Sequence, residues 1–337
     1  MREILEELIA RRELSSAAME AAMDSLLTGA ATPAQMAAFL VALRMKGETA
    51  SEVAAAARVM RRHALPVRTS GGGALLDTCG TGGDGSGSFN VSTAAAIVVA
   101  ACGVRVAKHG NRAASSKSGS ADVLEALGID LMQTPEAIGK SIDELGIGFM
   151  FARSHHPAMK HAGPVRAELG LRTVLNFLGP LSNPAGATHQ LLGVGDGSKQ
   201  RLMAEVLQLL GAKGAWVVHG HGGLDEVAVS GETLVIELKD GALSQRTVTP
   251  EDFGVARSSL DALRGGDAAD NARTLRAMLG GERGPKRDAV VVNAAAALCV
   301  AGVTHSPRDA AARVGEVLDS GAAATKLEQW IAFGAKN

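Results

Sequence analysis

Residues 77–93 run Asp-Thr-Cys-Gly-Thr-Gly-Gly-Asp-Gly-Ser-Gly-Ser-Phe-Asn-Val-Ser-Thr. The apolar run Ala74-Leu75-Leu76 leads in and Ala94-Ala95-Ala96-Ile97-Val98-Val99-Ala100 leads out, which puts the glycines between a strand and a helix. That junction is where α/β proteins hold phosphates, because glycine lets backbone N–H groups turn toward an anion and the following helix adds its positive end. Five glycines here exceed what a chain reversal needs.

Upstream, residues 1–66 read as helices. Ser15 or Ser16 caps a helix that Gly29 ends, and Thr32-Pro33 opens another that stops at Gly47. Thr49-Ala50-Ser51-Glu52 is a capping box, and Arg61, Arg62 and His63 suit the far end of the helix it opens. Pro66 and Ser70-Gly71-Gly72-Gly73 then read as a hinge, so a small helical domain over 1–70 is expected, followed by a larger domain over 71–337.

Downstream, short apolar runs alternate with amphipathic segments, the pattern of a largely parallel sheet covered by helices. Strands are expected at Leu75–Thr78, Val104–Lys108, Ile147–Phe151, His189–Val194 and Ala215–His219. Antiparallel hairpins are expected over Val227–Val248, broken at Gly231 and Asp240-Gly241. Four helical segments follow from about Leu260, including a buried one at Val290–Val300. Ser154–Pro184, with four prolines and no clean period, reads as irregular and too long for an idle loop.

The 337 residues are 46% apolar, with 34 basic against 35 acidic residues and a net charge of -1, which gives no broad basic field for nucleic acid. Cys79, Cys102 and Cys299 are odd in number and lack metal spacing, as suits a reducing compartment. Without a signal-peptide pattern or an apolar run long enough to span a bilayer, the expectation is a soluble cytoplasmic protein with no membrane or nucleic-acid partner.

Gly80-Thr81-Gly82-Gly83-Asp84-Gly85 satisfies the dinucleotide pattern G-x-G-x-x-G. That pattern expects an acidic residue about 20 positions on, at the end of the next strand. Lys108 stands there instead, opening Lys108-His109-Gly110-Asn111-Arg112-Ala113-Ala114-Ser115-Ser116-Lys117-Ser118-Gly119-Ser120-Ala121-Asp122. Two adjacent strand ends thus bring hydroxyls and cations to one sheet edge, as a ligand with two phosphate groups and sugar hydroxyls requires. Asp225-Glu226 follows a further strand; alone it is a solvated turn, but at that edge it reads as a magnesium site shared with a pyrophosphate. His219 with His221, or His155 with His156, lack a third ligand at zinc spacing.

These motifs together closely resemble the anthranilate phosphoribosyltransferase family: the glycine loop with Asn90-Val91-Ser92-Thr93, the loop from Lys108 to Asp122, His156-Pro157-Ala158-Met159, Arg166, Arg172-Thr173, Asn176, Leu178-Gly179-Pro180-Leu181 and Gly223-Leu224-Asp225-Glu226. Ala113, where the family has serine or another small residue, and Leu175, where it often has phenylalanine, are departures that remove no charged group. The resemblance extends from the N-terminal helices to Asn293–Leu298 and Ser320–Ala323. It implies a small all-α domain and a larger α/β domain with a mostly parallel mixed sheet, with part of about 160–185 joining the helical domain, usually as a homodimer. It leaves room for an anthranilate synthase component as partner.

The reaction it implies is transfer of the phosphoribosyl group of phosphoribosyl pyrophosphate to the anthranilate amine. Carried over, Gly80, Gly83, Asp84, Ser88 and Asn90 to Thr93 would hold phosphoribosyl pyrophosphate, with Lys108 to Ser116 and Ser120 completing the cradle. Ser92 and Glu226 would bind one Mg²⁺, and Asp225 with Glu226 a second. Anthranilate would meet Gly80, Asn111, His156, Arg166, Gly179 and Pro180. The rivals are a pyrimidine nucleoside phosphorylase on the same fold and a nucleic-acid-binding paralogue without activity; the latter should be basic and lack Arg166 and Asp225-Glu226.

Overall fold

The structure, a computed structural model, describes residues 1–113 and 117–335. It opens with four helices, α1 (Arg2–Ile9), α2 (Ser16–Leu27), α3 (Pro33–Lys46) and α4 (Ala50–Arg62). Their starts follow the local chemistry read above. The Ser15 hydroxyl accepts from Ala18 N–H, while Thr32 with Gln35 and Thr49 with Glu52 form reciprocal capping boxes.

The α/β part follows as β1 (Leu75–Gly80), α5 (Val91–Ala101), β2 (Arg105–Gly110), α6 (Ser120–Leu127), α7 (Pro135–Leu145) and β3 (Ile147–Phe151). Next come α8 (Ala152–His155), α9 (Met159–Leu169), α10 (Leu175–Leu181), β4 (His189–Gly193), α11 (Gln200–Leu209) and β5 (Gly214–Gly220). The chain ends with β6 (Thr233–Lys239), β7 (Ala242–Val248), α12 (Ala268–Leu279), α13 (Pro285–Val300), α14 (Pro307–Asp319) and α15 (Ala322–Gly334).

The seven strands lie in the order β3-β2-β1-β4-β5-β6-β7. The first five are parallel, β6 pairs antiparallel with β5 and β7 antiparallel with β6, so this is a mixed, mostly parallel sheet. Strand order reverses between β1 and β4. In such sheets the crevice at the carboxyl ends of the two strands flanking the reversal is where ligands bind.

Both faces are covered. On one, the alanine-rich α5 and α13 pack against each other and, with α14 and α15, over Leu191, Trp216 and Val218. On the other, α11 joins Leu192, Val217 and Ile236 to the interior of the N-terminal bundle, forming one continuous apolar core. Among the described residues no helix is long and apolar enough to cross a membrane.

Two expectations need correction. Residues 154–184 are largely helical: α9 and α10 contain Pro164 and Pro180 and pack on α2, α3 and α4. Burial against the bundle outweighs the proline penalty that hid these helices in the sequence. Between 227 and 248 there is one hairpin, with Asp240 and Gly241 both at positive φ in its turn. Residues 227–232 form no strand, because the N–H groups of Val227 and Ala228 are taken by the side chains of Asn293 and Thr233.

The glycine run between bundle and sheet is not a slack tether. Ser70 and Gly71 donate to the Asp143 carboxylate, and Arg105 donates to the Gly72 carbonyl.

Candidate active site

Three loops converge on the crevice between β1 and β4: the glycine loop after β1, the turn after β4 and the acidic turn after β5. Thr81 N–H donates to the Gly193 carbonyl at 2.9 Å, and Gly195 N–H to the Thr81 hydroxyl at 3.3 Å. Glycine is required where the loops touch. A Cβ at Gly193 would fall on the Asp225 carbonyl, and one at Gly80 on the Asp225 carboxylate.

This approach places the acidic pair. Asp225 Oδ2 accepts from Gly82 N–H at 2.9 Å, and Glu226 Oε1 accepts from Ser92 N–H at 3.1 Å, in the first turn of α5. Asp84 faces Asp225 across the loop; its Oδ1 accepts from Ser86 N–H at 3.2 Å, while its Oδ2 is buried without a partner. Burial, and then the Asp84 charge, push the Asp225 carboxyl up to about 7. Burial and the Asp225 charge push Glu226 well above the usual carboxylate range.

Crowded carboxylates with an orphaned oxygen suit a cation. Among the described residues no group of three or more His, Cys, Asp or Glu side chains forms a metal cage. Magnesium is held by one or two carboxylates and keeps water and substrate oxygens as its other ligands, a set that Asp225 and Glu226 can begin.

Lys108 lies beneath the acids, 2% exposed, donating to the Thr78 carbonyl at 2.5 Å and the Ser92 hydroxyl at 3.3 Å. Burial pulls its ammonium down, and the charges of Asp77 and Glu226 oppose that pull. Asp77, fully buried, accepts from His109 N–H and from Asn183 Nδ2, and burial raises it to about 6. Asp77 and Asn183 thus hold the end of β2 in place, a role the sequence reading missed.

In the second loop, Asn111 Oδ1 accepts from Arg112 N–H, and its carbonyl accepts from the Ser120 hydroxyl and Ala121 N–H. Gly110 is needed because a Cβ there would strike Ser120. Arg112, expected in the phosphate cradle, pairs with Asp122 and with both oxygens of Glu125. Asp122 also accepts from Ala113 N–H and Gly119 N–H, closing the loop onto α6. Ala114, Ser115 and Ser116 lie outside the described residues. Ser88 N–H donates to the Ser86 hydroxyl, and Val91 and Thr93 are buried, the Thr93 hydroxyl without a hydrogen-bond partner.

Toward the bundle, His156 Nε2 sits 3.2 Å from His109 Nε2, and His109 Nδ1 is 3.0 Å from the Gly179 carbonyl. A carbonyl only accepts, so His109 carries its proton on Nδ1 and His156 donates from Nε2. Burial, then the neighbouring imidazole, pushes His109 down to about 3; burial, then His155, pushes His156 down to about 4. Both shifts favour neutral rings, and the contact between the two Nε2 atoms requires that of His109 to be unprotonated. The Pro180 carbonyl accepts from Gln190 Nε2 at 2.6 Å.

Arg166, on α9, is held below its ordinary value by burial and by the Arg172 guanidinium beside it. Arg172 donates to the Gly82 carbonyl at 2.8 Å, and Arg44 on α3 donates to the Arg172 carbonyl at 2.7 Å. The bundle thereby reaches the glycine loop through a residue quoted above only as part of a motif. The histidines considered for zinc are engaged otherwise, with His155 Nδ1 on the Leu65 carbonyl and His219 Nδ1 on the Val194 carbonyl.

Residues 2–64 match the helical bundle domain of the glycosyl transferase family, and residues 72–324 its α/β domain. Anthranilate phosphoribosyltransferase from Symbiobacterium thermophilum is 51% identical over 333 residues, covering 99% of this chain and 97% of that protein. The crystal structure of the Thermus thermophilus enzyme superposes with a TM-score of 0.94 at 49% identity, covering 98% and 99% of the two chains. The Saccharomyces cerevisiae enzyme in complex with phosphoribosyl pyrophosphate and magnesium gives a TM-score of 0.90 at 29% identity, covering 99% and 98%. A further structure of that yeast protein holds 4-fluoroanthranilate.

Proposed function

The chain belongs to the anthranilate phosphoribosyltransferase family of glycosyl transferases, and from that premise we propose how its own residues carry the transfer. The reaction joins the anthranilate amine to C1 of the phosphoribosyl group and expels pyrophosphate, a pentosyl transfer of tryptophan biosynthesis. The observation that carries the residue assignment is the meeting of Asp225 and Glu226 with the N–H groups of Gly82 and Ser92 at the strand reversal.

Phosphoribosyl pyrophosphate lies across the glycine loop and the first turn of α5, where Gly80, Gly83, Asp84, Ser88 and Asn90–Thr93 offer hydroxyls and backbone N–H groups. Residues 108–116, with Ser120, would complete its cradle. Asp225, Glu226 and the Ser92 hydroxyl would hold magnesium, and the pair of carboxylates suits two ions per site. When bound, the metal offsets the negative charge that gathers on departing pyrophosphate. Lys108 keeps Ser92 in place and balances Glu226 from below.

Anthranilate enters between Asn111, His156, Arg166 and the Gly179-Pro180 stretch of α10, with Gly80 at the inner end. The Arg166 guanidinium suits its carboxylate. An aromatic amine attacks with its neutral lone pair, so no base has to create the nucleophile, and the two neutral imidazoles fit a positioning role. Holding the amine in line with C1 makes a bimolecular step effectively intramolecular.

The bundle, with α9 and α10, forms a unit over residues 1–70 and about 160–185. Its closing through Arg44 and Arg172 onto the glycine loop would keep water from the activated sugar. Homodimerisation through the bundle fits the exposure of Ile9 (75%) and Met45 (71%). The three free cysteines suit the cytoplasm.

The test is loss of anthranilate fluorescence on adding phosphoribosyl pyrophosphate and magnesium, run beside phosphorolysis of pyrimidine nucleosides. Magnesium-dependent loss with no phosphorolysis is expected. Phosphorolysis without anthranilate consumption would replace this reading with a nucleoside phosphorylase.

A further inference from the structure

Asn90 stands at the N-cap of α5, where an asparagine side chain ordinarily accepts from the N–H groups of the first turn. Here it makes no such bond. Its Nδ2 donates to the Ser118 carbonyl at 3.1 Å, and its Oδ1 accepts from Asn271 Nδ2 at 2.9 Å. Asn271, on α12 and 2% exposed, accepts at its own Oδ1 from Gly266 N–H at 2.9 Å. The chain of bonds ends on a carbonyl at one side and an N–H at the other, so neither amide can be turned over without placing like groups face to face.

The backbone around this contact is stitched as well. Phe89 N–H donates to the Leu263 carbonyl and Gly265 N–H to the Gly87 carbonyl, both at 2.9 Å. A Cβ at Gly265 would meet Phe89 Cα at 2.8 Å, so the two segments are in direct backbone contact.

We propose that Asn271 is a positioning residue for phosphoribosyl pyrophosphate: Val91 N–H already donates to the Phe89 carbonyl and Ser92 N–H to Glu226, and by holding Asn90 Oδ1 Asn271 leaves the Thr93 N–H in the first turn of α5 to the pyrophosphate and locks the two phosphate loops together at Ser118. Freed from Asn271, the Asn90 side-chain oxygen can cap its own helix at the Thr93 N–H and competes with the ligand for that group. This inference rests on the functional reading above.

Asn271→Asp keeps the acceptor for Gly266 N–H, loses the donor to Asn90 and gains a negative charge, so it is read beside Asn271→Ala, which loses the donor without adding charge. Calorimetric binding of phosphoribosyl pyrophosphate in excess magnesium should weaken about 10-fold, equivalent to about 1.4 kcal/mol. The KM for anthranilate at saturating phosphoribosyl pyrophosphate should stay within about twofold, as expected for a residue that acts on one substrate. The deficit should shrink as the pH falls from about 8 to about 5.5, because the protonated acid regains a donor for Asn90 and burial favours that form.

Asn271→Ala, which also frees Asn90, should show the same affinity loss without the pH recovery, and it carries the test if the carboxylate prevents folding. Wild-type affinity in the variants, or equal losses for both substrates at every pH, would overturn the assignment. A wild-type protein that binds no phosphoribosyl pyrophosphate would overturn the functional reading itself, and this inference with it.

Discussion

Asp225 is placed by contacts from three directions: its carboxylate takes the Gly82 N–H, its backbone rests on Gly193, and Asp84 repels it from across the loop. Gly193→Ala has no room for its methyl group and must displace the Asp225 backbone. A displacement of about 1 Å at a reacting centre costs about 100-fold, so turnover should fall by that factor while the variant still folds; full activity would show that Asp225 need not sit where it does. The histidine pair predicts a pH effect on stability. Unfolded histidine protonates near about 6.5, whereas the folded rings are pushed down to about 3 and about 4. The unfolded chain therefore binds the extra protons, and the stability these rings contribute is present above the unfolded value and lost as pH falls through the folded ones. His156→Gln should flatten the fall in stability below pH about 6.5 by up to about 1.4 kcal/mol per pH unit, measured by urea unfolding; an unchanged slope would mean that His156 is charged in the folded protein. The residues legible in the sequence were those in continuous strings, such as the glycine loop and Asp225-Glu226. Asp77 with Asn183, and Asn90 with Asn271, pair across long stretches of chain, and no local spacing announces such a meeting.

At the scale of elements, the helix starts were legible because a cap is a contact within one turn, and Ser15, Thr32 and Thr49 all act as read. What the capping-box reading could not show is that Glu52 does more. It is fully buried, accepts from Leu14 N–H at the approach to α2, caps α4, and pairs at 2.8 Å with Lys46, itself 4% exposed, at the end of α3. Removing one partner of a buried pair leaves the other charge uncompensated. Glu52→Ala should therefore destabilise by about 3–5 kcal/mol in urea unfolding, well beyond the loss of about 1 kcal/mol for a cap alone. A loss of only the cap value would mean that water reaches Lys46. α9 and α10 escaped the sequence reading for the opposite reason: their interior prolines argue against helix locally, and only packing against the bundle overrides them.

At the scale of the molecule, the bundle and the sheet share an apolar core through α11, and polar contacts cross between them at Arg172 with Gly82 and at Lys199 with Glu48, 3.0 Å apart. The α/β order of strands and helices was legible from alternation, but the reversal between β1 and β4 was not, since strand order is a property of pairing. Exposed apolar side chains on the bundle carry the dimer proposal. On that proposal the parent should sediment as a dimer and Ile9→Glu with Met45→Glu as a monomer; a double variant that still sediments as a dimer would place the interface elsewhere. The central claim is that the loops meeting at the strand reversal form one magnesium-dependent site for both substrates. Turnover of Asp225→Asn with Glu226→Gln, measured by anthranilate fluorescence at limiting magnesium, tests it most directly. A fall of at least about 100-fold from the parent protein is predicted, the scale of losing one strong electrostatic stabiliser, and near-normal turnover would contradict it.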